Sequence, residues 1–157
     1  MTHTTTRATA RDRQQDAPAN PRDPSQPATP SPPLRVLVVD DEPLMRWSVS
    51  ETLGPRGFDV VEADDGHSAL LALLDEVQVT DAVLLDLWLP DSSDLRLLAA
   101  IRRLAPTLPV ILMTAHLTPE VADEALKLGA FRVITKPFEL GELAPLLESA
   151  LAPSHPC

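Results

Sequence analysis

Ala82-Val83-Leu84-Leu85-Asp86-Leu87-Trp88-Leu89-Pro90 is the stretch on which the fold turns. Ala82 to Leu85 is an unbroken apolar run, which suits a strand covered on both faces of a parallel sheet. The run stops on one carboxylate, Asp86, and Pro90 closes the segment. In open α/β sheets, ligands and chemistry collect just beyond the carboxyl ends of the strands. An acid there is a metal ligand, a nucleophile or a solvated loop residue, and the stretch alone leaves all three open.

Upstream, Leu34 to Val39 reads as a strand ending in Asp40-Asp41-Glu42. Pro43 suits the first turn of a helix, and Met45, Val49 and Leu53 repeat at helical spacing until Gly54-Pro55. Phe58 to Val61 predicts a second strand, and Asp65-Gly66 turns into a helix carrying Ala69, Leu70, Leu73 and Leu74. Downstream, a third helix is expected from about Ser93 to near Pro106, with Leu97, Ile101 and Leu104 on one face. Pro109 to Met113 predicts a fourth strand ending on Thr114-Ala115, followed by a helix from Thr118-Pro119-Glu120 to Gly129. Phe131 to Ile134 predicts a fifth strand, ending on Thr135-Lys136-Pro137. The last helix, about Glu139 to Leu151, contains Pro145, so a kink or a late start is expected there. Strands alternating with helices on this spacing imply right-handed crossovers: an α/β, flavodoxin-like (βα)5 doubly wound parallel sheet, strand order 2-1-3-4-5.

The chain of 157 residues has room for one such domain and a tail. Residues 1–33 hold prolines at 18, 21, 24, 27, 30 and 33 and lack apolar periodicity. They are expected to be a disordered tail with polyproline II character, about 50 Å long over its proline-rich part at ~3.1 Å per residue. The domain is expected over residues 34–151, with a short C-terminal tail at 152–157. That hydrophilic ending is expected to be a natural terminus, too short for an output domain.

The charge is uneven. Residues 1–33 carry four Arg and three Asp, a net of +1, whereas the remainder carries 9 basic and 20 acidic groups, a net of −11. So acidic a domain is repelled by phosphate backbones, and no direct nucleic-acid partner is expected. No apolar run approaches a membrane span, no signal peptide is evident, and the single Cys157 forms no disulfide framework. No membrane partner is expected, and a cytoplasmic location is.

The residues at the strand ends form a constellation: Asp40 and Asp41, Asp86, Thr114 and Lys136, with Glu62 held away on an edge strand. Three carboxylates brought together repel one another unless a cation is present, and a hard ion such as Mg²⁺ suits oxygen ligands. With it bound, one carboxylate could attack a phosphoryl group, while Lys136 and the Thr114 hydroxyl pair with the phosphoryl oxygens.

Val39-Asp40-Asp41-Glu42, Leu85-Asp86-Leu87-Trp88-Leu89-Pro90, Met113-Thr114-Ala115-His116 and Thr135-Lys136-Pro137-Phe138 resemble the signature blocks of response-regulator receiver domains. The likeness covers about residues 34–151. Arg46-Trp47 and the Met113–His116 block bring it closest to receivers of nitrogen-regulation-type activators. The resemblance implies that Asp86 is the phosphoacceptor, with Asp41, Asp40, Asp86 and the Trp88 backbone carbonyl around Mg²⁺. Thr114, Ala115 and Lys136 would bind the phosphoryl group, and a cis peptide is implied at Lys136–Pro137. The expected function is a stand-alone receiver, not a turnover enzyme, loaded by a sensor histidine kinase or a His phosphotransfer protein. Its output would be an unknown downstream protein or a phosphorylation-dependent homodimer, reached through the fourth helix, fifth strand and fifth helix.

Three residues depart from the family pattern. Val133 stands where an aromatic switch residue is usual, and its β-branched side chain has few rotamers to exchange. Asp94 replaces a usual Gly, a concern if that position needs positive φ. Pro145 disturbs the last helix. Trp88 is a further feature, positioned to cover the phosphoryl group, and His116 is expected at the rim. The alternative reading is a phosphorylation-independent protein-interaction module. An aspartyl-phosphate hydrolase is disfavoured, because Trp88 stands where its second Asp would be needed. Nucleotide binding lacks any glycine-rich motif.

Overall fold

The computed structural model describes residues 31–153. The expectations for residues 1–30 and 154–157, including the proline spacing and most of the tail, lie outside the described residues.

Five parallel strands, β1 (Leu34–Val39), β2 (Phe58–Ala63), β3 (Ala82–Asp86), β4 (Val110–Thr114) and β5 (Arg132–Thr135), form one sheet in the order β2-β1-β3-β4-β5. Between and after them run α1 (Pro43–Leu53), α2 (Gly66–Leu73), α3 (Arg96–Leu104), α4 (Pro119–Lys127) and α5 (Leu143–Leu151). The flavodoxin-like order expected from the alternation is the one observed.

Alternation along the strands divides the core into two layers. Leu37, Val39, Val83, Leu85 and Leu112 face one side, where Ala69 of α2, Leu97, Leu98 and Ile101 of α3 and Ala125 of α4 cover them. Val36, Val38, Leu84, Ile111 and Met113 face the other, under Val49 and Leu53 of α1 and Leu143, Ala144 and Leu147 of α5. Every residue of β3 and β4 is buried, whereas the edge strand β5 has exposed ends at Arg132 and Thr135.

The helix starts follow local chemistry. The Asp65 carboxylate accepts from the Ser68 N–H at 2.7 Å and caps α2, and the Thr118 hydroxyl accepts from the Val121 N–H at 3.2 Å and caps α4. Gly129 ends α4 with φ +101°, where a Cβ would stand 2.8 Å from Arg102 Nε. The Arg102 guanidinium also donates to the carbonyls of Leu108 (2.7 Å) and Pro106, fastening the end of α3 to the loop before β4.

Two boundary expectations need correction, and the alternative left open at Pro145 is resolved. β2 runs two residues further than expected, to Ala63, because it stays paired with Val38 and Val39 of β1. Helix α3 begins at Arg96, not near Ser93. Leu89 and Ser92 first exchange backbone hydrogen bonds (2.9 and 3.3 Å), and the Asp94 carboxylate then accepts from the Arg96 N–H at 2.9 Å. No non-glycine residue among those described has positive φ, so Asp94 meets no left-handed requirement. Pro145 produces a late start and no kink: a 3-10 turn at Leu140–Glu142 precedes α5, which puts Pro145 in its first turn, where its missing N–H is not needed.

Candidate functional site

The carboxyl ends of β1, β3, β4 and β5 meet at one edge of the sheet, and the register decides which side chains become neighbours. Val39 pairs with Leu85 and Asp86 with Met113, so Asp40 and Asp86 emerge side by side. Asp40 is fully buried and Asp86 is 6% exposed, while Asp41 faces solvent. One carboxylate oxygen from each lies within 4.8 Å of the others.

Lys136 reaches both buried acids. Its Nζ is 2.6 Å from Asp40 Oδ2 and 3.3 Å from Asp86 Oδ2. The other oxygens take backbone donors: Glu42 N–H to Asp40 Oδ1 at 2.9 Å, and Trp88 N–H to Asp86 Oδ1 at 3.1 Å. The Lys136 N–H bonds to the Thr114 carbonyl at 2.8 Å, and the Lys136–Pro137 peptide is cis. Burial pushes the Asp86 carboxyl above its ordinary value, as does the Asp40 charge, and the Trp88 N–H and Lys136 only partly oppose this. Burial alone would lower Lys136, but the Asp40 and Asp86 carboxylates outweigh it and hold the ammonium above its usual range.

A pocket of about 440 Å³ opens over this cluster, lined by Asp41, Glu42, Asp86, Trp88, Ala115, His116 and Lys136. Trp88 is 49% exposed at its rim, and its indole meets the His116 ring edge to face, 6.3 Å between centroids. Thr114 is fully buried and is not part of the pocket lining; its Oγ1 accepts from the His116 N–H at 3.1 Å. Val133 is half-buried on β5 and packs against the layer under α2, α3 and α4. Glu62, on edge strand β2, pairs with Arg46 Nε at 3.3 Å, outside the cluster.

Two supporting residues escaped the sequence reading. Arg46 Nη1 donates to the Asp40 backbone carbonyl at 2.7 Å, bracing the loop that carries the acids. A cation in the first turn of a helix opposes the helix dipole, and that mismatch was a readable signal. Asp91 accepts from the N–H groups of Gly66 (2.8 Å) and His67 (3.0 Å), tying the loop after β3 to the start of α2. Nothing in its spacing points to a partner so far upstream.

The donor set is oxygen only, which suits a hard divalent ion keeping several waters. Mg²⁺ fits it better than a softer transition metal would.

Comparison with known proteins places this arrangement. Residues 36–148 match the family "Response regulator receiver domain". The regulatory protein AtoC of Escherichia coli is 38% identical over 117 residues, 74% of this chain and 25% of AtoC. The probable transcriptional regulatory protein TcrX of Mycobacterium tuberculosis is 40% identical over 119 residues, 76% of this chain and 50% of TcrX. The chain thus spans between a quarter and a half of these curated relatives. The crystal structure of the receiver domain of NtrX from Brucella abortus superposes with a TM-score of 0.67 at 38% identity, covering 74% of this chain and 97% of that one. Fold, sequence and relatives agree, and the chain belongs to the receiver-domain family of two-component response regulators.

Proposed function

We propose that this domain is a phosphoryl-accepting switch in which Asp86 receives the group from a phosphohistidine of a sensor kinase or phosphotransfer protein. The observation that carries the reading is a buried carboxylate at the end of the central strand, open to a pocket it shares with Asp41 and Lys136. Asp40, Asp41, Asp86 and the Trp88 carbonyl would hold Mg²⁺, which supplies positive charge that offsets the carboxylates and the incoming phosphoryl oxygens. An Asp86 oxygen forms the new P–O bond as the P–N bond breaks, and the departing imidazole keeps the electron pair and takes up a proton. Lys136 then exchanges a carboxylate for a phosphoryl oxygen, and Thr114 turns its hydroxyl toward the same group. Ala115 lines the pocket beside them and leaves room for that group.

Trp88 and His116 at the rim hinder attack by water on the acyl phosphate, so Trp88→Ala shortens the phosphorylated lifetime. The domain turns over no substrate of its own, and its output is the binding of a downstream protein or a second copy. It acts in the cytoplasm without direct nucleic-acid contact. The missing aromatic at Val133 favours a second reading, a module that binds partners regardless of phosphorylation.

Intact mass after incubation with acetyl phosphate and Mg²⁺ decides between them. One phosphoryl adduct is expected on the wild type, none on Asp86→Asn, and none after chelation of the metal. Absence of the adduct from the wild type would leave the interaction module standing.

A further inference from the structure

We propose that Trp88 and His116 form an aromatic relay carrying the state of Asp86 to helix α4. The inference rests on the phosphoacceptor reading and adds the route by which the switch leaves the pocket.

The two rings face in two directions. They line the acidic pocket on one side. On the other they line a groove of about 510 Å³ between α3 and α4, walled by Leu95, Ala99, Val121 and Leu128. Their edge-to-face contact therefore stands between the acidic pocket and a groove that mixes those apolar walls with Ser93, Asp94, Arg96 and Glu124. His116 is attached to the switch by its backbone, since its N–H is bonded to Thr114 Oγ1. Any movement of that buried hydroxyl toward a phosphoryl group carries the His116 backbone along or releases it. Two residues on, Thr118 caps α4. Displacement of His116 thus alters both the ring contact and the segment leading into the helix.

On the neighbouring strand nothing matches this. Val133 is β-branched and packed against the buried layer, without a ring to reposition. Trp88, half-exposed, has open space beside it on the groove side. Loading Asp86 separates the two rings, moves the indole into the groove and loosens the start of α4.

Hydrogen–deuterium exchange of the full chain, with beryllium fluoride and Mg²⁺ mimicking the phosphoryl group, tests this. Intact mass with acetyl phosphate establishes separately that Asp86 accepts a group. In the wild type, exchange across Pro119–Lys127 should rise at least threefold on loading. In His116→Ala and in Trp88→Leu, compared at equal occupancy, the rise should fall below 1.5-fold, with core strands exchanging as in the wild type. A merely protective role for the rings would alter the lifetime of the phosphoryl group and leave the α4 response intact. A wild-type response in both variants, or a loaded wild type with no response in α4, overturns the relay. A wild type that accepts no phosphoryl group at all removes instead the reading beneath it.

Discussion

The two ends of the sheet use ion pairs in opposite ways. At the amino ends, Arg35 of β1 joins Asp59 of β2 at 2.6 Å, with the side chains 20% and 41% exposed, and its guanidinium also reaches Gln78. At the carboxyl ends, Lys136 serves Asp40 and Asp86, whose side chains are 0% and 6% exposed. Water screens the first pair, so its loss costs little. The second places two carboxylates and one ammonium in a space that penalises every charge, and an apolar replacement of the trio would often be at least as stable. One end holds strands together. The other accepts a cost in stability to gather charges beneath an open pocket.

Four measurements sharpen or break that contrast. Lys136→Met should have the largest effect, because it strands two buried carboxylates; a loss of about 3 kcal/mol in urea denaturation is expected. A loss below 1 kcal/mol would make the two ends alike. Mg²⁺ should act in the opposite sense: at about 100 times its Kd, a ligand of the folded state alone adds roughly 2.7 kcal/mol. Asp41→Asn should remove most of that gain in thermal melts.

Asp86→Asn should come next. The folded state holds the Asp86 proton more tightly than the unfolded chain, so ionisation costs stability as pH rises from the ordinary value of 3.8 through the raised folded value. The Asn variant should therefore melt higher at neutral pH. The advantage should disappear below that window, and an advantage that persists in acid would contradict the assignment. Arg35→Ala should cost least, about 1 kcal/mol or below, and leave phosphoryl acceptance unchanged.

What the sequence disclosed and what it withheld divide along a physical line. Parallel strands end at a common edge, so listing the polar residues just beyond the expected strands was enough to bring Asp40, Asp86 and Lys136 together, with Thr114 buried beside them. The fold was legible for the same reason, since apolar runs and helical stripes alternate without interruption. The loop after β3 was not. Its course is set by the Leu89–Ser92 turn and by Asp91 binding α2, contacts made across a gap that local pattern does not cover. Hence α3 starts later than its apolar stripe suggested, and Asp94 accepts from the Arg96 N–H instead of needing a left-handed bend. Arg46 was the missed opportunity, a misplaced charge that should have prompted a search for its partner.

The close approach of Arg102 to Gly129 bears on how α4 can move. At that end the helix abuts a guanidinium already fastened to two carbonyls, while its other end follows directly on the pocket loop. A rod hinged at one end and pushed at the other rotates; it does not slide. Nine residues make α4 about 14 Å long, so under the proposed relay each ångström of push at Thr118 would tilt it by roughly 4° about Gly129. Any side chain at position 129 would have to push that guanidinium aside and hold a left-handed backbone, which strains the turn that ends α4 even with every charged group of the pocket in place.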